Sequence, residues 1–172
     1  MKNILISDHK TGHTLSRLYT KIINDYIKDC IEFRYCYLFW NFYKPDEKYV
    51  IIIRDPREII ISGYLYHKMC SEIWCINKNG NYYEGWNKNH FLKEEMVRND
   101  KYIKEAMNFS SKMSYQNKLR ILPQEDGIIH EMNSVAKLTI MGMYNLIHYE
   151  KKNVLIFHLE DFTFNFEKTI EK

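Results

Sequence analysis

Tyr49 to His67 reads YVIIIRDPREIIISGYLYH. It begins with an unbroken apolar run, Tyr49-Val50-Ile51-Ile52-Ile53, rich in β-branched side chains. A run that does not alternate with polar residues suits a parallel strand covered on both faces. Asp55-Pro56 then opens a helix. Asp55 is a capping residue type, Pro56 suits the first helical position, and Glu58 lies three residues after the cap. The spacing predicts a helix to about Lys68.

The same unit stands at the start of the chain. Asn3-Ile4-Leu5-Ile6-Ser7 is a short apolar run, Asp8 to Thr14 is polar and contains Gly12, and Leu15, Leu18, Ile22 and Tyr26 follow at helical spacing. A third strand of this kind is Val154 to His158. One long helix is predicted before it from Ile128, Met132, Val135, Thr139, Met143 and Leu146. Ile31 to Phe42 is aromatic and β-prone and offers a further strand. Strands alternating with helices predict an α/β fold, a three-layer sandwich with a mostly parallel central sheet. In such sheets ligands bind beyond the carboxyl ends of the strands. The loops Asp8–Thr14 and Arg54–Arg57 are therefore where chemistry is expected.

Residues 70 to 95 are irregular, with Trp74, Tyr82, Tyr83 and Trp86 around an Asn79-Gly80-Asn81 turn signal. Such an excursion is either a lid or binding loop, or an ordinary packed insertion. With few Gly and Pro to form a linker, one domain over 1–172 is expected. Lys and Arg number 25 against 22 Asp and Glu, a net charge of +3 spread along the chain. That permits an anionic ligand and argues against a nucleic-acid partner, which calls for a concentrated basic face. Cys30, Cys36, Cys70 and Cys75 form no C-x-x-C pair and no zinc spacing, so reduced, partly buried thiols and no metal are expected. There is no signal-peptide pattern and no run of about 18 apolar residues, so a cytoplasmic protein with no membrane partner is expected.

In the first loop, Lys10-Thr11-Gly12-His13-Thr14 has the parts of an anion site. The helix N-terminus offers N–H groups, Gly12 allows close backbone approach, Lys10 adds charge, and Thr11 and Thr14 add hydroxyls. A plain polar turn is the alternative reading. The loop lacks the Gly-Lys-Ser/Thr ending of a Walker A motif, which counts against a P-loop kinase or nucleotide hydrolase. In the second loop, Arg54 can grip phosphate oxygens bidentately, and Ser62, eight residues on, adds a hydroxyl about two helical turns away.

The order Lys10-Thr11-Gly12-x-Thr14 resembles the 5'-phosphosulfate-binding loop of sulfotransferases that use 3'-phosphoadenosine 5'-phosphosulfate (PAPS), commonly Pro-Lys-Ser/Thr-Gly-Thr-Thr-Trp. His9 stands in place of Pro, His13 in place of Thr, and Leu15 in place of the aromatic that helps hold adenine. Arg54-Asp55-Pro56-Arg57 with Ser62 is similar to the family's 3'-phosphate-binding segment. Leu159-Glu160-Asp161-Phe162 resembles a later landmark, often Tyr-Glu-Asp-Leu, and Asn165 to Ile170 fits its continuation. Tyr115-Gln116, Leu119 and Glu125-Asp126-Gly127 resemble a stretch of some bacterial members.

The resemblance implies a P-loop NTPase-like sulfotransferase fold and sulfuryl transfer from PAPS, without a metal, to a hydroxyl or amine of a small-molecule or carbohydrate acceptor. It implies Lys10, Thr11, Gly12, His13 and Thr14 at the 5'-phosphosulfate, with Lys10 also stabilising the leaving group, and Arg54 and Ser62 at the 3'-phosphate. His67 and Glu32 are candidates for the general base. His13 is another, although nearby anions would favour its charged form. Trp74, Tyr82, Tyr83 and Trp86 either line an acceptor pocket or pack a core. Many members carry a later basic, Gly-rich closing loop, and these 172 residues contain none. A non-catalytic nucleotide- or partner-binding member of the same fold is the alternative.

Overall fold

Ile51, Ile52 and Ile53 are 1%, 3% and 3% exposed, although successive strand residues face opposite sides of a sheet. Both faces of their strand are therefore covered, as the uninterrupted apolar run requires. The computed structural model describes residues 2–8, 10–28, 30–35, 43–78, 113–147 and 151–170.

The chain divides into two compact units, one of Met1–Ile59 with Thr139–Lys172, the other of Ile60–Leu138. The first unit holds the sheet. Strands β1 (Asn3–Ser7), β2 (Ile31–Tyr35), β3 (Lys48–Ile53) and β4 (Val154–His158) lie in the order β2-β1-β3-β4, all parallel. Helix α1 (His13–Tyr26) connects β1 to β2 and packs on both. Ile4, Leu5 and Ile6 of β1 are buried with Tyr49 and the three isoleucines of β3. The weaker strand signal after Ile31 is real as far as Tyr35, and the rest of that stretch, 36–42, lies outside the described residues.

At the amino end of this sheet, Glu47 is buried and accepts from Arg34 and, at 2.6 Å, from the Tyr49 hydroxyl. The buried charge is thus paired and hydrogen-bonded, as burial demands. Burial and this bond push the Tyr49 phenol up to about 12.

Helix α2 (Pro56–His67) starts and stops where its sequence says, and the Asp55 side chain accepts from the Arg57 N–H at 2.8 Å. The capping box is completed differently from expectation. Glu58 pairs with Arg54 instead of turning back, and Glu160 from the end of β4 accepts the Asp55 N–H at 3.0 Å.

The second unit contains the later turns of α2, α3 (Ile73–Ile76), α4 (Tyr115–Ile121), α5 (Gln124–Asn133) and the start of α6 (Val135–Ile147). The single helix expected from Ile128 to Leu146 is two helices. The backbone leaves helical geometry at Ser134 (φ −118°, ψ −107°), and the Ser134 N–H turns to the Glu131 carbonyl. Asn133 and Ser134 are residues whose side chains compete with helix hydrogen bonds. The apolar period carries on across this break, which is why the sequence reads as continuous. Helices α7 (Leu159–Phe164) and α8 (Phe166–Ile170) follow β4 in the first unit. Among the described residues no helix is long and apolar enough to cross a membrane.

Candidate functional site

The chain leaves β1 sideways to β2 and then returns across it to β3, so the strand order reverses between β1 and β3. Loops leaving two such strands diverge, and the crevice between them at the carboxyl end is the usual ligand position of open α/β sheets. The two loops there are those singled out by sequence.

The first loop is held from inside. The Thr11 N–H donates to the Asp8 carbonyl at 3.2 Å, closing a tight turn. The Thr11 hydroxyl, fully buried, donates to the same carbonyl and accepts from the Asp8 N–H at 2.6 Å. Thr11 thus shapes the loop in this conformation. Lys10 sits at φ 61°, a left-handed backbone that costs a non-glycine residue energy. Gly12, at φ 96°, is the N-cap of α1, and a Cβ there would lie 2.8 Å from Leu159 Cδ1. Glycine is therefore required twice, by backbone angle and by close packing.

His13, Thr14 and Leu15 begin α1, and such first-turn N–H groups have no helical acceptor. No side chain caps this end and its first turn carries no acid. The positive end of the helix dipole therefore meets no carboxylate of its own turn. Thr14 is exposed, and the half-buried His13 ring lies edge-on to Phe33 with centroids 5.2 Å apart.

Arg54 joins the second loop to the first. Its Nη1 donates to the Lys10 carbonyl at 3.0 Å, and its Nη2 pairs with Glu58 at 3.3 Å. Its N–H donates to Met143 Sδ at 3.4 Å. Arg57 turns to Asp55, and that guanidinium holds the Asp55 carboxyl down at about 2. Ser62 is half-buried on α2 and belongs to the second unit.

No family model, curated protein or solved structure matches this chain.

Lys10, Thr11, Gly12, His13 and Thr14 share one strand-to-helix loop, and Arg54 is bonded to it. Glu32 is not brought there. It pairs in register with Ile4 at the amino end of the sheet, while Lys10 follows the carboxyl end of β1. Arg34 and Lys2 hold its carboxylate, and the Arg34 hydrogen bond draws its pKa down, the wrong direction for a base.

His67 is fully buried in the second unit. Its Nδ1 lies 2.8 Å from Glu131 Oε2, which also accepts from the Tyr115 hydroxyl at 2.8 Å. Trp74 and Tyr115 flank its ring, so Trp74 belongs to that core. Tyr82, Tyr83 and Trp86 lie outside the described residues, as do His9 and Cys36. Sequence reasoning missed two site neighbours, Glu58 as the partner of Arg54 and Glu160 as the anchor of Asp55. The signal for both was an acid placed directly after a strand or one helical turn from the arginine.

Proposed function

We propose that this protein is a PAPS-dependent sulfotransferase, with a P-loop-like, three-layer α/β fold. The observation that carries the reading is the Arg54–Lys10 hydrogen bond of 3.0 Å. It joins the two segments that resemble 5'-phosphosulfate and 3'-phosphate sites, at the strand-order reversal where nucleotides bind such sheets. The all-parallel order β2-β1-β3-β4, with its reversal between β1 and β3, supports an α/β fold of this kind.

The residues fit the ligand. A loop with glycine at its tightest point and an acid-free helix start suits the 5'-phosphosulfate, with Lys10 as the full charge. Arg54 leaves β3 beside it. A 3'-phosphate there would take Arg54 Nη2 from Glu58, exchanging a carboxylate for a more highly charged anion.

In the reaction, the acceptor oxygen or nitrogen bonds to sulfur as the bond from sulfur to the bridging phosphate oxygen breaks. Negative charge gathers on that bridging oxygen. The Lys10 ammonium and the first N–H groups of α1 stabilise it without reorganisation. The acceptor supplies a proton that a base or solvent removes.

A second reading, a nucleotide-binding protein without transfer activity, draws on the position of Glu32 at the opposite end of the sheet and on the complete burial of His67. The test is transfer of labelled sulfate from PAPS to a panel of hydroxyl and amine acceptors. Label transfer that is lost in Lys10→Ala supports the enzyme. Binding of the nucleotide with no transfer across the panel supports the second reading.

A further inference from the structure

The second unit holds two thiols that the proposed chemistry does not use. Helix α2 ends at His67, and the chain turns back through Cys70 into the short helix α3, which carries Cys75. Both sulfurs point at one atom. Cys75 Sγ lies 3.5 Å and Cys70 Sγ 3.9 Å from the His67 carbonyl oxygen. Both thiols are buried, Cys75 wholly and Cys70 to 8% exposure, so Cys70 is the nearer of the two to solvent. The loop between them is fixed from both sides. Gln116 Nε2 donates to the Cys70 carbonyl at 2.6 Å, and the Cys75 N–H donates to the Glu72 carbonyl at 2.9 Å.

We propose that Cys70 and Cys75 are a redox-active dithiol that a peroxide converts to an intrachain disulfide and a small thiol restores. The Cys70 sulfur attacks one peroxide oxygen, the O–O bond breaks, and water leaves with the proton. The Cys75 sulfur then displaces the hydroxyl of the Cys70 sulfenic acid, forming the S–S bond and releasing a second water. The two sulfurs give up two electrons in total, and the peroxide takes both. The Cys75 thiol draws Cys70 below the ordinary thiol range, which favours the nucleophilic thiolate. Cys75 is pushed in the opposite direction, and it acts as the resolving thiol.

Trypsin releases both cysteines in one peptide, Met69 to Lys78, so the test is direct. The folded wild-type protein is exposed to hydrogen peroxide, quenched, unfolded, alkylated and mapped by mass spectrometry. Expected is a Met69–Lys78 peptide lighter by two hydrogens and carrying no alkyl group. Alkylation of Cys70 and Cys75 should fall in parallel, and dithiothreitol should restore it. In Cys75→Ser, Cys70 should instead be trapped as a sulfenic acid by dimedone. If that variant does not fold, the wild-type peptide alone decides. Peptide alkylated at both sites as in untreated protein, Cys70 over-oxidised beside a free Cys75, or linkage of either to Cys30 or Cys36 would each overturn the proposal.

Discussion

Arg54 reaches from the carboxyl end of β3 to the main-chain carbonyl of Lys10, 3.0 Å away, while its other terminal nitrogen is held by Glu58 at 3.3 Å. One bond fixes the guanidinium against the loop that follows β1, and the other can yield. Glu58 is largely exposed at its side chain, and so is held weakly. It occupies the nitrogen that a bound phosphate would need.

Glu58→Gln should therefore tighten binding of 3'-phosphoadenosine 5'-phosphate, by about two- to threefold for an exposed helix pair. The gain should shrink in high salt. Calorimetry at low and high ionic strength measures both. Weaker binding by the variant would mean that Glu58 orients Arg54 for the ligand instead of competing with it.

The Thr11 hydroxyl is buried and bonded twice to the Asp8 backbone. Thr11→Val keeps the shape and leaves the Asp8 N–H without that acceptor, so a loss of about 1–3 kcal/mol in unfolding free energy is expected. Thr11→Ser should retain most of the stability. Denaturant unfolding checks both. If Thr11→Val is as stable as wild type but binds nucleotide poorly, the hydroxyl serves the ligand.

The α/β class and its parallel strands were legible because burial imposes them locally. A strand covered on both faces, such as Ile51-Ile52-Ile53, must be apolar throughout, and Asp55-Pro56 marks a helix start by main-chain chemistry alone. The break at Ser134 was not legible, because Val135, Thr139 and Met143 continue the apolar period of the preceding helix. At the candidate site, type and spacing put Lys10 to Thr14 in one strand-to-helix loop and Arg54 at the end of β3, and the bond between the two came only with the structure. Glu32 could not be placed, since only strand register tells which end of β2 it occupies. The environment of His67 depended on Glu131, 64 residues away in sequence. Glu160 stands out as an acid after a strand, but its partner, the Asp55 N–H 105 residues away, follows only from the pairing of β4 with β3.

The Tyr49 phenol, raised to about 12 by burial and by its bond to Glu47, sets an alkaline limit. Its ordinary value is near 10, so its contribution is complete below about pH 10 and is lost as pH rises toward about 12. Stability should fall across that window in the wild type, and less steeply in Tyr49→Phe. Denaturant midpoints measured from about pH 8 to about pH 12 test this. Equal slopes in the two proteins would contradict it.

The most direct measurement is calorimetric binding of 3'-phosphoadenosine 5'-phosphate, compared with 5'-AMP and ATP, to wild type, Lys10→Ala and Arg54→Ala. The account predicts clear preference for the 3'-phosphorylated nucleotide. That preference should disappear in Arg54→Ala, while Lys10→Ala should weaken all three ligands. Equal affinity of folded wild-type protein for all three nucleotides, or no binding of any, would contradict it.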